Sequence, residues 1–264
     1  MTHVKTAVGI YGASHVYVSG KGAFLAVDRV SFALEAGEFV SLVGPSGCGK
    51  TTILSMIAGL IEPTEGRVEV GGSRVRGPSD RIGYMLQHDY LFPWRTILDN
   101  ALIGLELKGK VTEQQKKSAV RLMEEMGLDG VESKYPHQLS GGMRQRAALV
   151  RTLMTSPDIL LLDEPFSALD YQTKLLLERL VSDTLRSRGK SALLVTHDIS
   201  EAIAMSDRVI VLDHSPGRVR KEIVVPEPIR RETPMKAREL PDFHALFNGI
   251  WKEFEEMESR GETV

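Results

Sequence analysis

The feature that most restricts this chain is Gly44-Pro45-Ser46-Gly47-Cys48-Gly49-Lys50-Thr51, which fits the pattern G-x-x-x-x-G-K-[S/T]. A short apolar run, residues 38–44, precedes it, and residues 50–60 follow with apolar side chains at helical spacing. That order, strand then glycine loop then helix, suits a bound anion. Glycines let successive N–H groups turn inward around phosphate oxygens. The helix that starts at Lys50 aims its positive dipole end at the same point. Lys50 adds a point charge for the β- and γ-phosphates, and the Thr51 hydroxyl can ligate Mg²⁺. Residues Gly44, Pro45, Ser46, Gly47, Cys48, Gly49, Lys50, Thr51 and Thr52 are therefore the candidate phosphate-binding set. The single cysteine excludes an internal disulfide framework. Cys48 is read as a small side chain at a tolerant loop position, with a redox sensor as the alternative.

A second acidic cluster complements the loop. Residues 158–163 (DILLLD) form a near-continuous apolar run, the pattern of a parallel strand covered on both faces. It ends in Asp163-Glu164. A strand end beside a phosphate loop is where Mg²⁺ must be held, and Asp163 is the candidate anchor. Glu164, one residue further, can orient and deprotonate an attacking water. His197 ends another apolar run, residues 191–196, within reach of a γ-phosphate if the strands lie side by side.

The remaining pattern is α/β. Further strands are predicted at 67–70, 81–87, 208–212 and 219–225, and helices at 96–108, 113–126, 141–155 and 171–188, with Gly127 as a C-cap. Residues 1–88 and 158–225 thus read as an α/β core, interrupted by a helical subdomain at 89–157. Residues 226–264 read as a linker, rich in Pro226, Pro228, Pro234 and Pro241, followed by a helix. That helix, 243–257, spaces Phe243, Leu246, Phe247, Ile250, Trp251 and Phe254 for one face. Glu253, Glu255, Glu256 and Glu258 occupy the other, which argues against an anionic membrane and for packing on its own domain. With 42% apolar and 26% charged residues, composition excludes a disordered chain. The balance of 33 basic against 35 acidic residues makes no global demand for nucleic acid. No signal-like N-terminus is visible and no run approaches the ~20 apolar residues of a membrane span, so a cytoplasmic chain is expected.

Leu139-Ser140-Gly141-Gly142-Met143-Arg144-Gln145-Arg146 is a second glycine turn, with a serine capping a helix N-terminus. It resembles the signature sequence of ATP-binding cassette (ABC) ATPases, and the resemblance covers nearly the whole chain. It implies a P-loop NTPase fold of the ABC nucleotide-binding type, with an inserted helical subdomain and a C-terminal helical extension. It implies ATP and Mg²⁺, and a head-to-tail homodimer in the ATP state. Each ATP would lie between the Lys50 loop of one subunit and Ser140, Gly141 and Gly142 of the other. Gln87 is similar to the family glutamine that links Mg²⁺ and water to the helical subdomain. Ser167-Ala168-Leu169-Asp170 resembles the loop crossing the dimer interface, and His197 the switch histidine. Tyr17, 27 residues before Gly44, stands where the family places an adenine-stacking aromatic, with Tyr11 as its rival. The implied catalytic set is Glu164, His197, Gln87 and Lys50, and the implied metal set Thr51, Gln87 and Asp163.

Finer features resemble importers of the nitrate/sulfonate/taurine group: Tyr90-Leu91-Phe92-Pro93-Trp94, Pro216-Gly217-Arg218 and the helix at 243–254. Pyrimidine-precursor and riboflavin-type importers carry similar stretches. The resemblance implies an ATPase subunit on the inner face of the membrane. Separate permease subunits would dock at 90–94, with a solute-binding protein in the complex and no nucleic acid. The alternative is an ABC-type ATPase acting on nucleic acid or the ribosome, but the duplicated cassette or basic extension common there is absent. A GTPase lacks its N-K-x-D motif here, and a kinase leaves Ser140-Gly141-Gly142 unexplained.

Overall fold

The computed structural model describes residues 5–20, 22–167, 169–214 and 216–261. Ala168 of the interface-loop resemblance and the side chain of Glu258 therefore lie outside the described residues. The chain opens with a long antiparallel hairpin, β1 (Thr6–Ser19) and β2 (Gly22–Glu35). Next come β3 (Phe39–Val43), α1 (Lys50–Ile57), β4 (Glu65–Val70), the two-residue β5 (Ser73–Arg74) and β6 (Ile82–Met85). Three helices follow, α2 (Ile97–Glu106), α3 (Glu113–Glu125) and α4 (Gly141–Met154). The α/β alternation then resumes with β7 (Ile159–Asp163), α5 (Tyr171–Ser187), β8 (Ser191–Thr196), α6 (Ile199–Met205), β9 (Arg208–Leu212) and β10 (Val219–Val224). The chain finishes with α7 (Glu227–Arg230), α8 (Pro234–Ala237) and α9 (Pro241–Gly261).

Two sheets organise these elements: one antiparallel, in the order β2-β1-β4-β5, and one of six strands, β10-β9-β3-β8-β7-β6. In the second, β9, β3, β8, β7 and β6 run parallel and β10 is an antiparallel edge. Every residue of β3, β7 and β8 is buried, as their unbroken apolar runs require. One face, with Val40, Leu42, Leu161 and Leu193, packs with Ile53 and Leu54 of α1 and Val8 and Ile10 of the hairpin. The other, with Leu160, Leu162 and Leu194, packs with Ile97, Met123 and Leu149 of the helical block. Because β3, β7 and β8 are adjacent and parallel, the residues after their C-terminal ends converge, the usual ligand position in such sheets.

Helix starts follow their capping residues. Thr96, Thr112, Ser140 and Asp170 each accept a backbone N–H of the helix they precede. The helix expected over 50–60 ends early, at Ile57. Gly59 turns left-handed at φ +73°, and a Cβ there would fall 2.2 Å from the Gly77 oxygen.

The segment after β10 corrects the linker reading. Pro228 and Pro234 sit in the first turn of α7 and α8, where a missing N–H costs nothing, so the prolines start short helices. Ile229 and Ala237 are fully buried against Ile203 of α6, together with Phe243 and Ile250 of α9. The acidic face of α9 is paired: Arg220 and Lys221 of β10 bind Glu253 at 2.7 and 2.6 Å, and Arg220 also binds Glu256 at 2.7 Å. The terminal helix packs on its own chain.

Candidate nucleotide site

The Lys50 loop leaves the end of β3 under tight constraint. A Cβ on Gly44 would lie 2.7 Å from the Cys48 sulfur and 3.0 Å from the Leu212 oxygen. Gly49, at φ +87°, is the N-cap of α1, and a Cβ there would meet Val27 at 2.5 Å. Lys50 is buried, and its Nζ donates to the carbonyls of Gly44 (2.8 Å) and Pro45 (2.9 Å), so its charge is held at the centre of the loop. The Thr51 hydroxyl donates to Asp163 Oδ1 at 3.3 Å. Burial pushes the Asp163 carboxyl up, opposed by the hydrogen bonds from Thr51 and Tyr84. Tyr84 of β6 donates to Asp163 Oδ2 at 3.2 Å, and its own hydroxyl is pushed up by burial and by that carboxylate. Sequence reasoning missed Tyr84, because a tyrosine in a strand pattern carries no sign of its partner.

Glu164 adopts φ +45°, a strained conformation for a residue with a Cβ. Its Oε2 lies 3.3 Å from His197 Nδ1 and accepts from Gln87 Nε2 at 3.4 Å. Residues following β6, β7 and β8 thus meet at one carboxylate. A cleft of about 500 Å³ opens beside it, lined by Ser46, Gly47, Gly49, Lys50, Thr51, Thr52, Glu164 and His197 on one side and Tyr17, Phe24 and Ala26 on the other. The two tyrosines lie in different surroundings. Tyr17 lines the cleft with its hydroxyl 3.3 Å from Thr52 Oγ1, whereas Tyr11 lies beneath the Arg67 guanidinium at 4.4 Å. Phe24, paired with Tyr17 across the hairpin, is a lining aromatic that the sequence pattern did not single out.

Cys48 departs from expectation. It is fully buried behind the loop, where its oxygen would lie 2.0 Å from a Cβ on Gly217, and burial pushes its thiol up. The position is packed, not tolerant. The same contact accounts for Pro216-Gly217-Arg218: Gly217 backs the loop, and Arg218 pairs with Asp28 at 2.5 Å.

Ser140, Gly141 and Gly142 are not among the residues lining the cleft. They open α4, where the Ser140 hydroxyl accepts the Met143 N–H at 3.3 Å, and Ser140 and Gly141 are exposed. The same helix is tied to the cleft. Gln145 Nε2 donates to the oxygens of Gln87 and Pro165, both at 3.0 Å. Arg151 binds the carbonyls of Asp89 and Tyr90 at 2.8 and 2.7 Å. Beyond Gln87, Leu91 is buried, Phe92 is half-buried with its ring 5.3 Å from that of Trp94, and Tyr90 and Trp94 are 60% and 71% exposed. Ser167 Oγ donates to the Glu164 oxygen at 3.0 Å, and Asp170 caps α5. Among the described residues no helix is long and apolar enough to cross a membrane.

Comparison with known proteins agrees with this geometry. The family model described as ABC transporter matches residues 27–167. The chain is 53% identical to the uncharacterized ABC transporter ATP-binding protein YtlC of Bacillus subtilis over 247 residues, covering 94% of this chain and 95% of the relative. It is 40% identical to the nitrate import ATP-binding protein NrtD of Synechocystis over 87% of this chain and 88% of the relative. It is equally, 40%, identical to the taurine import ATP-binding protein TauB of Escherichia coli over 80% and 82%. A solved dimeric structure of the ATP-binding cassette MJ0796, in a post-hydrolysis state bound to ADP and Pi, superposes with a TM-score of 0.74 at 31% identity, covering 83% of this chain and 99% of that one. A phosphate loop, an acidic strand end and a serine-capped glycine turn within one such fold have a single reading: the chain belongs to the ABC transporter family, as one of its ATP-binding, ATP-hydrolysing subunits.

Proposed function

We propose that this chain powers a solute importer, hydrolysing MgATP at the interface of a head-to-tail homodimer and driving uptake through separate permease subunits. The observation that carries this reading is the division of anion-binding groups. Lys50, Glu164 and His197 line one cleft, while the Ser140 turn stands exposed outside it. The likeness to nitrate, sulfonate and taurine import proteins supports the importer direction.

In this reading residues 1–88 and 158–225 form the ATP-binding core, 89–157 the helical subdomain and 226–264 the C-terminal extension. The loop N–H groups and Lys50 hold the phosphates, and Tyr17 stacks on adenine. Mg²⁺ suits the donors present. Thr51 and Asp163 place a hydroxyl and a carboxylate 3.3 Å apart, with the Gln87 amide beside Glu164, all hard groups of the kind this ion takes. When bound it supplies neutralisation of phosphate charge. Glu164 takes the proton of the attacking water, and Gln87 and His197 hold that carboxylate in place. Ser140, Gly141 and Gly142 of the second copy close over the γ-phosphate.

The translocation path belongs to other subunits, with a solute-binding protein completing the complex, so the chain works as a peripheral component on the inner membrane face. No observation favours nucleic acid as a partner. Tyr90 and Trp94 offer the permease exposed aromatic anchors, on a segment that Arg151 fastens to α4. Trp94→Ala tests this. Uptake in cells is expected to be lost and the co-purifying permease released, while ATPase rate and melting temperature stay at wild-type values because the ring is exposed. Normal uptake by this variant would remove the docking assignment. Failure of any membrane protein to co-purify with the wild-type chain would remove the importer reading.

A further inference from the structure

Charged side chains from α5, α6 and the residue after α8 cluster near the turn that carries His197. Lys174 of α5 is 17% exposed and reaches Asp198 Oδ2 at 2.6 Å and Glu201 Oε1 at 2.5 Å. The Thr196 hydroxyl donates to Glu201 Oε2 at 2.5 Å and accepts the Asp198 N–H at 3.0 Å. Asp198 Oδ1 in turn accepts the N–H groups of Ser200 and Glu201. His197 sits between Thr196 and Asp198, so its backbone is held on both sides by groups that converge on Lys174. Burial alone would raise the Asp198 carboxyl; the Lys174 ammonium and the α6 N–H groups outweigh it and hold the group below the usual carboxylate range.

One helical turn further along α5, on the same face, is Glu178, which is fully buried. Its two oxygens accept from the Arg238 guanidinium at 2.8 and 2.9 Å. Arg238 follows α8 in the C-terminal segment, and its guanidinium also binds the Pro234 carbonyl at 2.9 Å. Burial pushes the Glu178 carboxyl up and the nearby Glu201 adds to this, while Arg238 and Lys174 oppose it. The cluster thus holds three carboxylates, Glu178, Asp198 and Glu201, against two cations. Lys174 can serve Asp198 and Glu201 only while Glu178 is satisfied from elsewhere, and a bidentate guanidinium does that. Without it, a buried carboxylate one turn away competes for the same ammonium.

We propose that Arg238 is a positioning residue for ATP hydrolysis: by satisfying Glu178 it leaves Lys174 to clamp Asp198 and Glu201, and so fixes the turn that presents His197 to Glu164. The C-terminal segment thereby bears on the active site without touching it. This rests on the reading of His197 as part of the hydrolytic site.

The test uses the purified full-length chain, with kcat and KM for MgATP expressed per folded molecule and melting followed separately. Arg238→Met is expected to lower kcat about fivefold to tenfold with KM unchanged. Adding Glu178→Gln to it removes the competing charge and is expected to restore kcat to within twofold of wild type. Lys174→Met is expected to lower kcat at least as much, and Glu178→Gln should not rescue it, whereas Lys174→Arg should retain turnover. A purely structural role predicts lowered melting with kcat per folded molecule unmoved in Arg238→Met, and that result overturns the proposal. Failure of Glu178→Gln to rescue also overturns it. His197→Ala separates the two levels. Loss of turnover there, beside normal kcat in Arg238→Met, overturns the positioning role and leaves the reading of His197 standing. Full turnover in His197→Ala withdraws both.

Discussion

The loop around Lys50 and the turn at Ser140 both place glycines at a helix N-terminus, yet they end in opposite surroundings. The first is enclosed: Lys50 is buried, Asp163 accepts from Thr51, and Glu164 and His197 close one side of the cleft. The second has its N-cap hydrogen bond, and Ser140 and Gly141 are exposed outside that cleft. Similar helix-terminus chemistry in unequal surroundings is what the proposed shared site requires. The two are physically connected, since Gln145, one turn into α4, donates to both Gln87 and Pro165 beside Glu164.

The largest effect expected from this asymmetry is at Glu164. Glu164→Gln should still bind MgATP but lose at least ~10²-fold in turnover, as for removal of a general base. With hydrolysis blocked, ATP should hold the variant as a dimer in sedimentation, and ADP should return it to monomer, because a ligand bound only by the dimer stabilises it by mass action. Full turnover, or an oligomeric state indifferent to nucleotide, would break the comparison.

The next largest effect is at the exposed turn. A Cβ on Gly141 would meet the Arg144 guanidinium at 3.9 Å, an ordinary contact, and an acidic residue in a first helical turn is worth about 0.3–1 kcal/mol in stability. Gly141→Asp should therefore melt no lower than wild type. Facing a γ-phosphate from the second copy, however, it should cut turnover at least ~10-fold through like-charge repulsion. ATP binding by the isolated subunit should be unchanged. Loss of nucleotide binding in this variant would put the Ser140 turn inside the first cleft and dissolve the asymmetry.

A smaller effect separates the aromatics. Removing a ring stacked on a base costs about 1–3 kcal/mol, so Tyr17→Ala should raise KM for ATP at least about fivefold with kcat kept. Tyr11→Ala should leave KM alone, because that ring is engaged by Arg67 of β4 and does not line the cleft. Equal shifts in both variants would contradict the placement of the base beside Tyr17.

What was legible in the sequence was what local chemistry dictates. The run at 159–163 reads as a covered parallel strand because all five of its residues are buried. The helix starts expected at 96, 113, 141 and 171 fall within one residue of those observed, and the Ser140 cap was readable because capping is a contact within one turn. What was hidden depended on partners distant in sequence. Tyr84 joins Asp163 only through strand pairing of β6 with β7. Phe24 faces the cleft only through its register with Tyr17. The prolines after residue 225 suggested a linker because nothing local shows Ile229 and Ala237 to be buried against α6.

The smallest expected effect of nucleotide is at Cys48, and it bears on how closed the first loop is. Alkylation needs a thiolate and a path to it. Burial of Cys48 in the folded protein works against both. The residue is fully buried behind the loop, and burial pushes the thiol up, with the Lys50 ammonium at 3.7 Å opposing only in part. Labelling must then wait for local opening of the chain, which makes it at least ~10²-fold slower than in denaturant. Saturating MgATP occupies the opposite side of the loop, so it should change the native rate little. Mass spectrometry of the intact chain over time, with and without nucleotide, measures both quantities on the only cysteine. Fast labelling that MgATP blocks would move the sulfur to the open side. The Lys50 loop would then be as accessible as the Ser140 turn, and the contrast between an enclosed half-site and an exposed one would fail at its closed end.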